Sequence, residues 1–403
     1  MSSVFTRFLI GIAAVLALCA TSTTAFGQFG GWGGGDGSRL SREQIEQYGT
    51  LLGLDETQRE IAQMMLEEYL DGAQTVMDTV REAADKARQE FEETRDRSVW
   101  AGMREVQEAA RERVDTLEDQ FMGDLRMMLS PEQDEAWPRV ERAHRRAKSL
   151  PRGLMSGERV DLFEVVRGLE LEGEASGAAK TLLNDYELAL DRVLITRDQM
   201  YEQGMAMFRE RDFEALQSHF EDARDAAIRV RDVHRTFARR LEGVVPGEKL
   251  DAMRGAIQRA SFPSVYRENR SDRAMAFVKD IEGLTDDQRS RFDAIMTETN
   301  RRMAQVNRQI ADAIESNEVN MGIRDLMRGG RRGNEAGTRE MFAEKREVID
   351  RAIDQLRTML SEEQAAAFDE AVGSPEEAER DGGRRGGNRD GGRGQRQRAP
   401  QRL

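Results

Sequence analysis

The sequence has 403 residues and a formal net charge of −14, with 34 % charged and only 6 % aromatic side chains. That balance argues against nucleic-acid binding by the body of the protein. Abundant Ala, Glu, Arg, Gln, Leu and Met point to long helices with narrow apolar seams rather than broad globular cores.

From Met1 to Arg7 there is one positive side chain, then an apolar run from Phe8 to Leu18 and small residues from Ala20 to Ala25. That order reads as a secretory signal peptide over 1–27, cleaved after Ala25 or Gly27, and its apolar run is too short to span a bilayer as a helix. A lipoprotein reading would make Cys19 the lipid-bearing residue, but the large Leu18 before it stands against this. Ordinary cleavage leaves a mature chain with no cysteine, hence no disulfide and no thiolate ligand or nucleophile. No later stretch is apolar enough to span, so no transmembrane helix is expected in the mature chain.

After a Gly-rich linker over 28–40, three tandem copies of one unit are expected: 41–150, a diverged copy over 151–265, and 266–373. The first copy pairs Leu54-Asp55-Glu56-Thr57-Gln58 with Leu129-Ser130-Pro131-Glu132-Gln133. The third pairs Leu284-Thr285-Asp286-Asp287-Gln288 with Leu360-Ser361-Glu362-Glu363-Gln364. The two glutamines stand 75 residues apart in the first copy and 76 in the third. In the middle copy Glu172 and Pro246 fall at the equivalent cap positions and glutamine is missing from both, so its helix starts should be weaker or displaced. Counting from these anchors, Met65, Leu182 and Ile295 coincide, as do Ala73, Leu190 and Met303, and, on the second arm, Leu125, Leu241 and Leu356. Tyr69 matches Tyr186, and Phe121 matches Phe237.

Apolar residues step by threes and fours from Ile61 through Met65, Tyr69, Ala73, Val76, Val80 and Ala84 to Phe91, and again from Val99 to Met128. Each run predicts one helix with one apolar stripe. The first, about 38 residues from Glu56, would reach on the order of 57 Å. Neither stripe can stay exposed, so the arms should fold back as an antiparallel hairpin turning near Arg95 to Ser98. The fold class is therefore all-α: three long antiparallel hairpins with short capping helices. A flexible loop is expected from Asn317 to Thr338, with its run Arg328-Gly329-Gly330-Arg331-Arg332-Gly333. The tail over 374–403 should be disordered. From Arg380 onward it holds eight arginines against Asp381 and Asp390. In an exported protein such a tail would meet anionic lipid, polysaccharide or the acidic body sooner than RNA, and an inert terminus is the plainer reading.

The four motifs read first as helix starts. The side chain of Asp55, Ser130, Thr285 or Ser361 accepts from the N–H three residues on, and Gln58, Gln133, Gln288 or Gln364 reaches back to the cap residue's own N–H. Pro131 at the first helical position fits. Paired motifs of this type, bracketing a helical hairpin behind an export signal, resemble the LTxxQ motifs of the Spy/CpxP family of periplasmic proteins. The resemblance rests on Leu54 to Gln58 with Leu129 to Gln133, and on Leu284 to Gln288 with Leu360 to Gln364. It implies a periplasmic, ATP-independent chaperone-like or envelope-stress protein that holds unfolded or stressed envelope proteins on a thin helical cradle. It also implies two alternatives, a docking or scaffold module for a sensor kinase or other partner, and a metal-responsive regulator. Three units in one chain depart from the family's single unit, so a homo-oligomer is left open.

No metal site is expected, because His144, His219 and His234 occupy different repeat positions and no His pair or cysteine joins them. Met64-Met65 and Met127-Met128 read as seam or adaptable contact surface. No nucleophile–base set and no phosphate-cradling loop occurs, so no catalytic or cofactor residue is assigned and the chain is not expected to be an enzyme. Which residues bind a client is not legible.

Overall fold

The computed structural model describes residues 40–100, 102–210, 212–320, 322 and 331–372. The expected signal peptide, residues 28–39 of the linker, residue 373 and the tail over 374–403 lie outside them. Among the described residues the chain is all-α, with no strand. No helix there is long and apolar enough to cross a membrane.

The chain divides into two compact units, one up to Arg254 and the other from Gly255. The first contains α1 (Arg42–Leu52), α2 (Glu56–Thr94), α3 (Met103–Met127), α4 (Pro131–Asp134), α5 (Trp137–Ser149), α6 (Leu162–Arg167), α7 (Gly173–Glu210) and α8 (Phe213–Glu242). Helix α9 (Gly247–Ser261) contains the boundary. The second unit continues with α10 (Pro263–Tyr266), α11 (Arg270–Lys279), α12 (Asp286–Asn320), α13 (Arg331–Met359) and α14 (Glu362–Val372).

In the first unit α2 packs along α3, and α7 along α8; in the second, α12 packs along α13. Tyr69 lies against Phe121 and Gly72 against Leu117, while Gln58 reaches Gln133. Numbers that rise on one arm fall on the other, so α2 and α3 are antiparallel. They are joined by a left-handed Arg95 (φ 57°) and a 3-10 turn over Arg97–Trp100. Each long helix begins at an equivalent position, Glu56, Gly173 or Asp286, so the start in the middle copy is not displaced. Three residues ahead of each start the backbone is left-handed, at Gly53 (φ 65°), Glu170 (φ 47°) and Gly283 (φ 79°).

The core lies at the motif-bearing end of each pair. In the first, Tyr48, Leu52, Ala62, Leu66, Tyr69, Ala73, Phe121, Leu125 and Val140 form one buried cluster. In the second unit Ala274, Val278, Leu284, Phe292, Ala352, Leu356 and Phe368 do so. Leu125, Leu241 and Leu356, matched by counting, are all fully buried, and Tyr69–Phe121 and Tyr186–Phe237 are ring pairs 6.2 and 5.6 Å apart. Burying such a leucine is worth roughly 2 kcal/mol, before the larger cost of leaving a cavity in its place.

Two expectations need correction. Ile61 is 37 % exposed, and Met65, Leu182 and Ile295 are half-buried; the buried face of α2 runs instead through Ala62, Leu66, Tyr69 and Ala73. Helix α1 also packs on α2, which turns the buried stripe one residue round the helix. The loop expected over 317–338 is shorter than that, since α12 continues to Asn320 and α13 begins at Arg331. Of the loop expected there, residues 321 and 323–330 lie outside the described residues.

Candidate functional site

All four motifs form the expected caps. Gln58, Gln133, Gln288 and Gln364 each donate their backbone N–H to the side chain of Asp55, Ser130, Thr285 or Ser361. Each accepts on its side-chain oxygen from that residue's N–H, at 3.0–3.1 Å. Leu54 and Leu284 are buried beneath the caps, and Leu129 and Leu360 pack against the same clusters.

Capping does not use up the glutamines. Gln58 Nε2 donates to Gln133 Oε1 at 2.9 Å and to the carbonyl of Met128 at 3.1 Å. Gln133 Nε2 donates back to Gln58 Oε1 at 2.8 Å and to the carbonyl of Gly53 at 3.2 Å. With the cap bonds, both donors and both acceptor positions of each amide are filled. The third copy repeats the Gln58 half of the pattern: Gln288 Nε2 donates to Gln364 Oε1 at 2.9 Å and to the carbonyl of Met359 at 3.0 Å. The next residue joins in, Arg59 bonding the carbonyl of Leu54, and Arg289 that of Leu284. The motif pair is thus a clasp joining the two ends of a hairpin some seventy-five residues apart in sequence.

The middle copy makes the same closure with other chemistry. Ala175 and Lys249 stand where the glutamines would. Lys249 Nζ donates to the carbonyls of Leu169 and Glu170 at 2.6 and 2.8 Å, the latter being the equivalent of the Gly53 carbonyl that Gln133 holds. Sequence reading found the cap role and missed both the reciprocal amide pair and the lysine. The available signal was that glutamine, unlike glutamate, can donate and accept at once, so two of them at matched positions can satisfy each other.

Each pair also buries polar groups. In the first, Tyr48 Oη lies 3.2 Å from His144 Nδ1, and His144 Nε2 lies 2.8 Å from the buried Glu118 carboxylate, which Lys148 also contacts at 3.1 Å. Burial would raise the Glu118 carboxyl, but the bond from His144 and the charge of Lys148 outweigh it and hold it below the usual carboxylate range. Burial also pushes the Tyr48 phenol far up. In the middle copy Arg197 and Glu158, both fully buried, pair at 3.2 Å. Glu158 also accepts from the N–H groups of Leu154 and Met155, and His234 bridges Tyr186 Oη (2.9 Å) and the Glu158 carbonyl (3.1 Å). Burial holds His234 down at about 4, so it is neutral at physiological pH.

The three histidines stand in three separate settings, His219 bonding the carbonyl of Met200. Among the described residues no group of three or more His, Cys, Asp or Glu side chains is placed to hold a metal ion. Of the two methionine pairs, Met65 and Met128 pack at the core margin, whereas Met64 is 60 % and Met127 79 % exposed. Leu188, Met205 and Phe208 are also exposed.

No protein-family model, curated protein or solved structure matches the chain.

Proposed function

We propose that the chain is an exported, periplasmic, ATP-independent chaperone-like protein of the Spy/CpxP type, with three tandem units. It holds unfolded or stressed envelope proteins on helical surface and carries out no catalytic step. The observation that supports this most is the glutamine clasp, reciprocal in the first copy and one-way from Gln288 to Gln364 in the third, because it joins the very residues on which the family resemblance rests. Exposed Met64 and Met127 sit on the arms closed by the first clasp and provide adaptable apolar contact of the kind a client-binding face needs.

The test is light scattering of two unrelated aggregating proteins, with and without the purified mature chain, in buffer free of nucleotide and metal. Suppression of both at near-stoichiometric ratios is the expected result. Failure with both, together with stoichiometric capture of a single envelope partner, would replace this reading with the docking-module one.

A further inference from the structure

Two of the three helix pairs have the outer half of their seam, away from the clasp, covered by chain that lies just ahead of them in sequence. In the second unit this is α10 with its flanks: Phe262, Val265 and Tyr266 form one apolar cluster with Val306, Ile310 and Met341. In the middle copy it is the stretch after α5, where Leu150 and Met155 are buried and Glu158 bonds Arg197 and Tyr201. A cation in the seam also holds each covering stretch by its backbone. Arg197 donates to the carbonyl of Ser149 at 2.6 Å, and the buried Lys345 donates to the carbonyl of Val265.

The corresponding stretch of the first copy falls before Leu40, outside the described residues, but the face itself is described. Counted from the caps, Val80 stands where Ile310 does, Ala84 where Ile314 does and Ala110 where Met341 does. Each is the smaller residue, so whatever covers this face has more space to fill. Val80 and Val114 are half-buried, whereas their counterparts Ile310 and Lys345 are buried. By the same count Trp32 stands where Phe262 does, and glycines 33 to 35 replace Pro263, Ser264 and Val265. Smaller walls thus go with a larger ring, the exchange of volume that close packing requires. Val80 and Val114 also replace the two cations, Arg197 and Lys345, so the hold on a covering stretch here is apolar contact, which an indole supplies in quantity.

We infer that the outer half of the α2–α3 seam is an intramolecular docking site and that its occupant is the chain's own segment over 28–39, with the Trp32 indole against Val80 and Val114. The reach is the one the second unit uses. Eight residues separate Trp32 from Leu40, which is anchored in the first core cluster, and eight separate Phe262 from Arg270 at the start of α11. The docked segment closes the first seam as the other two are closed. This inference stands apart from the client-binding reading.

The experiment uses the mature chain grown with 5-fluorotryptophan, its three fluorine resonances assigned through Trp32→Phe, Trp100→Phe and Trp137→Phe. The Trp32 resonance is expected away from its position in urea, with a reduced shift between H2O and D2O. Val80→Asp should return it to the urea position while Trp137, buried at the clasp end, stays where it was. Deleting residues 28–36 should speed amide hydrogen exchange about tenfold over 76–84 and 106–114, and leave 58–66 unchanged. A Trp32 resonance already at its urea position in the parent chain overturns the inference. So does a displaced resonance that Val80→Asp fails to move, because the segment is then seated elsewhere. A displaced resonance that reverts on dilution assigns the face to a second copy's segment and overturns the intramolecular site. Should Val80→Asp disturb Trp137 as well, the deletion decides, since it removes no residue of any helix described above; unchanged exchange over 76–84 and 106–114 then overturns the inference.

Discussion

The first and middle helix pairs follow the same backbone plan with opposite chemistry inside. The first closes its end with two neutral amides and keeps a largely apolar seam; the middle one closes with a lysine and carries a fully buried arginine–glutamate pair and a buried histidine along its seam. The contrast shows that backbone register tolerates changes of polarity, provided each buried polar group is given partners. Glu158 meets that condition with two backbone N–H groups, a guanidinium and the Tyr201 hydroxyl. Such a seam depends on each member far more than an apolar one does.

The largest effect should come from Arg197→Ala, which strands the Glu158 carboxylate in the interior. A loss of roughly 3–5 kcal/mol is expected, since removing one partner of a buried pair leaves its charge uncompensated. Urea unfolding followed by circular dichroism measures it. A loss below about 1 kcal/mol would mean that water reaches Glu158 and that the middle seam is no more demanding than the first.

Acid should separate the same two regions. The folded value of His234, about 4, lies below its ordinary 6.5, so its contribution is complete above about pH 6.5 and is lost as pH falls toward 4. The difference amounts to about 3 kcal/mol at most. The ring Nε2 faces a carbonyl, which only accepts, so the neutral ring carries its proton there and acid must charge Nδ1, against Tyr186. Around the ring, Asp161 favours the charge and Arg197 opposes it, while Asp161 is itself engaged by Arg146, and Arg231 lies one turn back on α8. His234→Gln should flatten the pH dependence of unfolding between 6.5 and 4.5 relative to the parent chain; parallel curves would show that carboxylates alone set it.

On the apolar side of the comparison, Gln58→Ala keeps the Asp55 cap bond to the backbone N–H of residue 58 but removes the return bond to the Asp55 N–H and unpairs Gln133 and the carbonyl of Met128. Roughly 2–3 kcal/mol should be lost, combining the return bond to the Asp55 N–H with the cost of the Gln133 amide and the Met128 carbonyl left unsatisfied. Gln288→Ala should cost a similar amount in the second unit. If Gln58→Ala costs no more than about 1 kcal/mol, the value of one exposed local hydrogen bond, the reciprocal amide bonds contribute nothing to holding the arms together.

Much of this plan was legible in the sequence. The spacing of the motifs, the start of α2 at Glu56, the turn near Arg95 and the leucines at 125, 241 and 356 all follow from periodicity and counting, because helix geometry ties position to face. The buried charges were harder to see, since Arg197 and His234 look like members of a solvated face when one copy is read alone. Aligned, Arg197 falls in a column with Val80 and Ile310, and one arginine in an apolar column is the mark of a buried, paired one. Exposure of Met64 and burial of Leu66 were not legible, because they depend on the side from which α1 approaches α2. The flat glycine content around 329–333 suggested a longer loop than exists, because glycine only weakens a helix and does not forbid it.

A smaller effect tests how the middle copy manages its substituted clasp. Glu170 holds a left-handed backbone (φ 47°) where the other copies have Gly53 and Gly283, and the Lys249 ammonium bonds its carbonyl. Glu170→Gly should stabilise the first unit by about 1 kcal/mol, because glycine adopts this conformation without the steric cost of a Cβ. A neutral or negative result would mean that the Glu170 side chain contributes as much as its backbone costs.

The smallest effect expected is none. Glu298 accepts from Arg301 and Arg302 on a partly exposed side of α12, and these two partners hold its carboxyl down at about 2. A shifted titration at such a site reflects local geometry that water and salt largely screen, and pairs of this kind contribute little to folding. Glu298→Gln should therefore leave the thermal midpoint unchanged at 0.15 M salt. A clear drop would show that surface pairs along the long arms matter to the hairpins, and the contrast between a sensitive interior and an indifferent exterior would have to be redrawn.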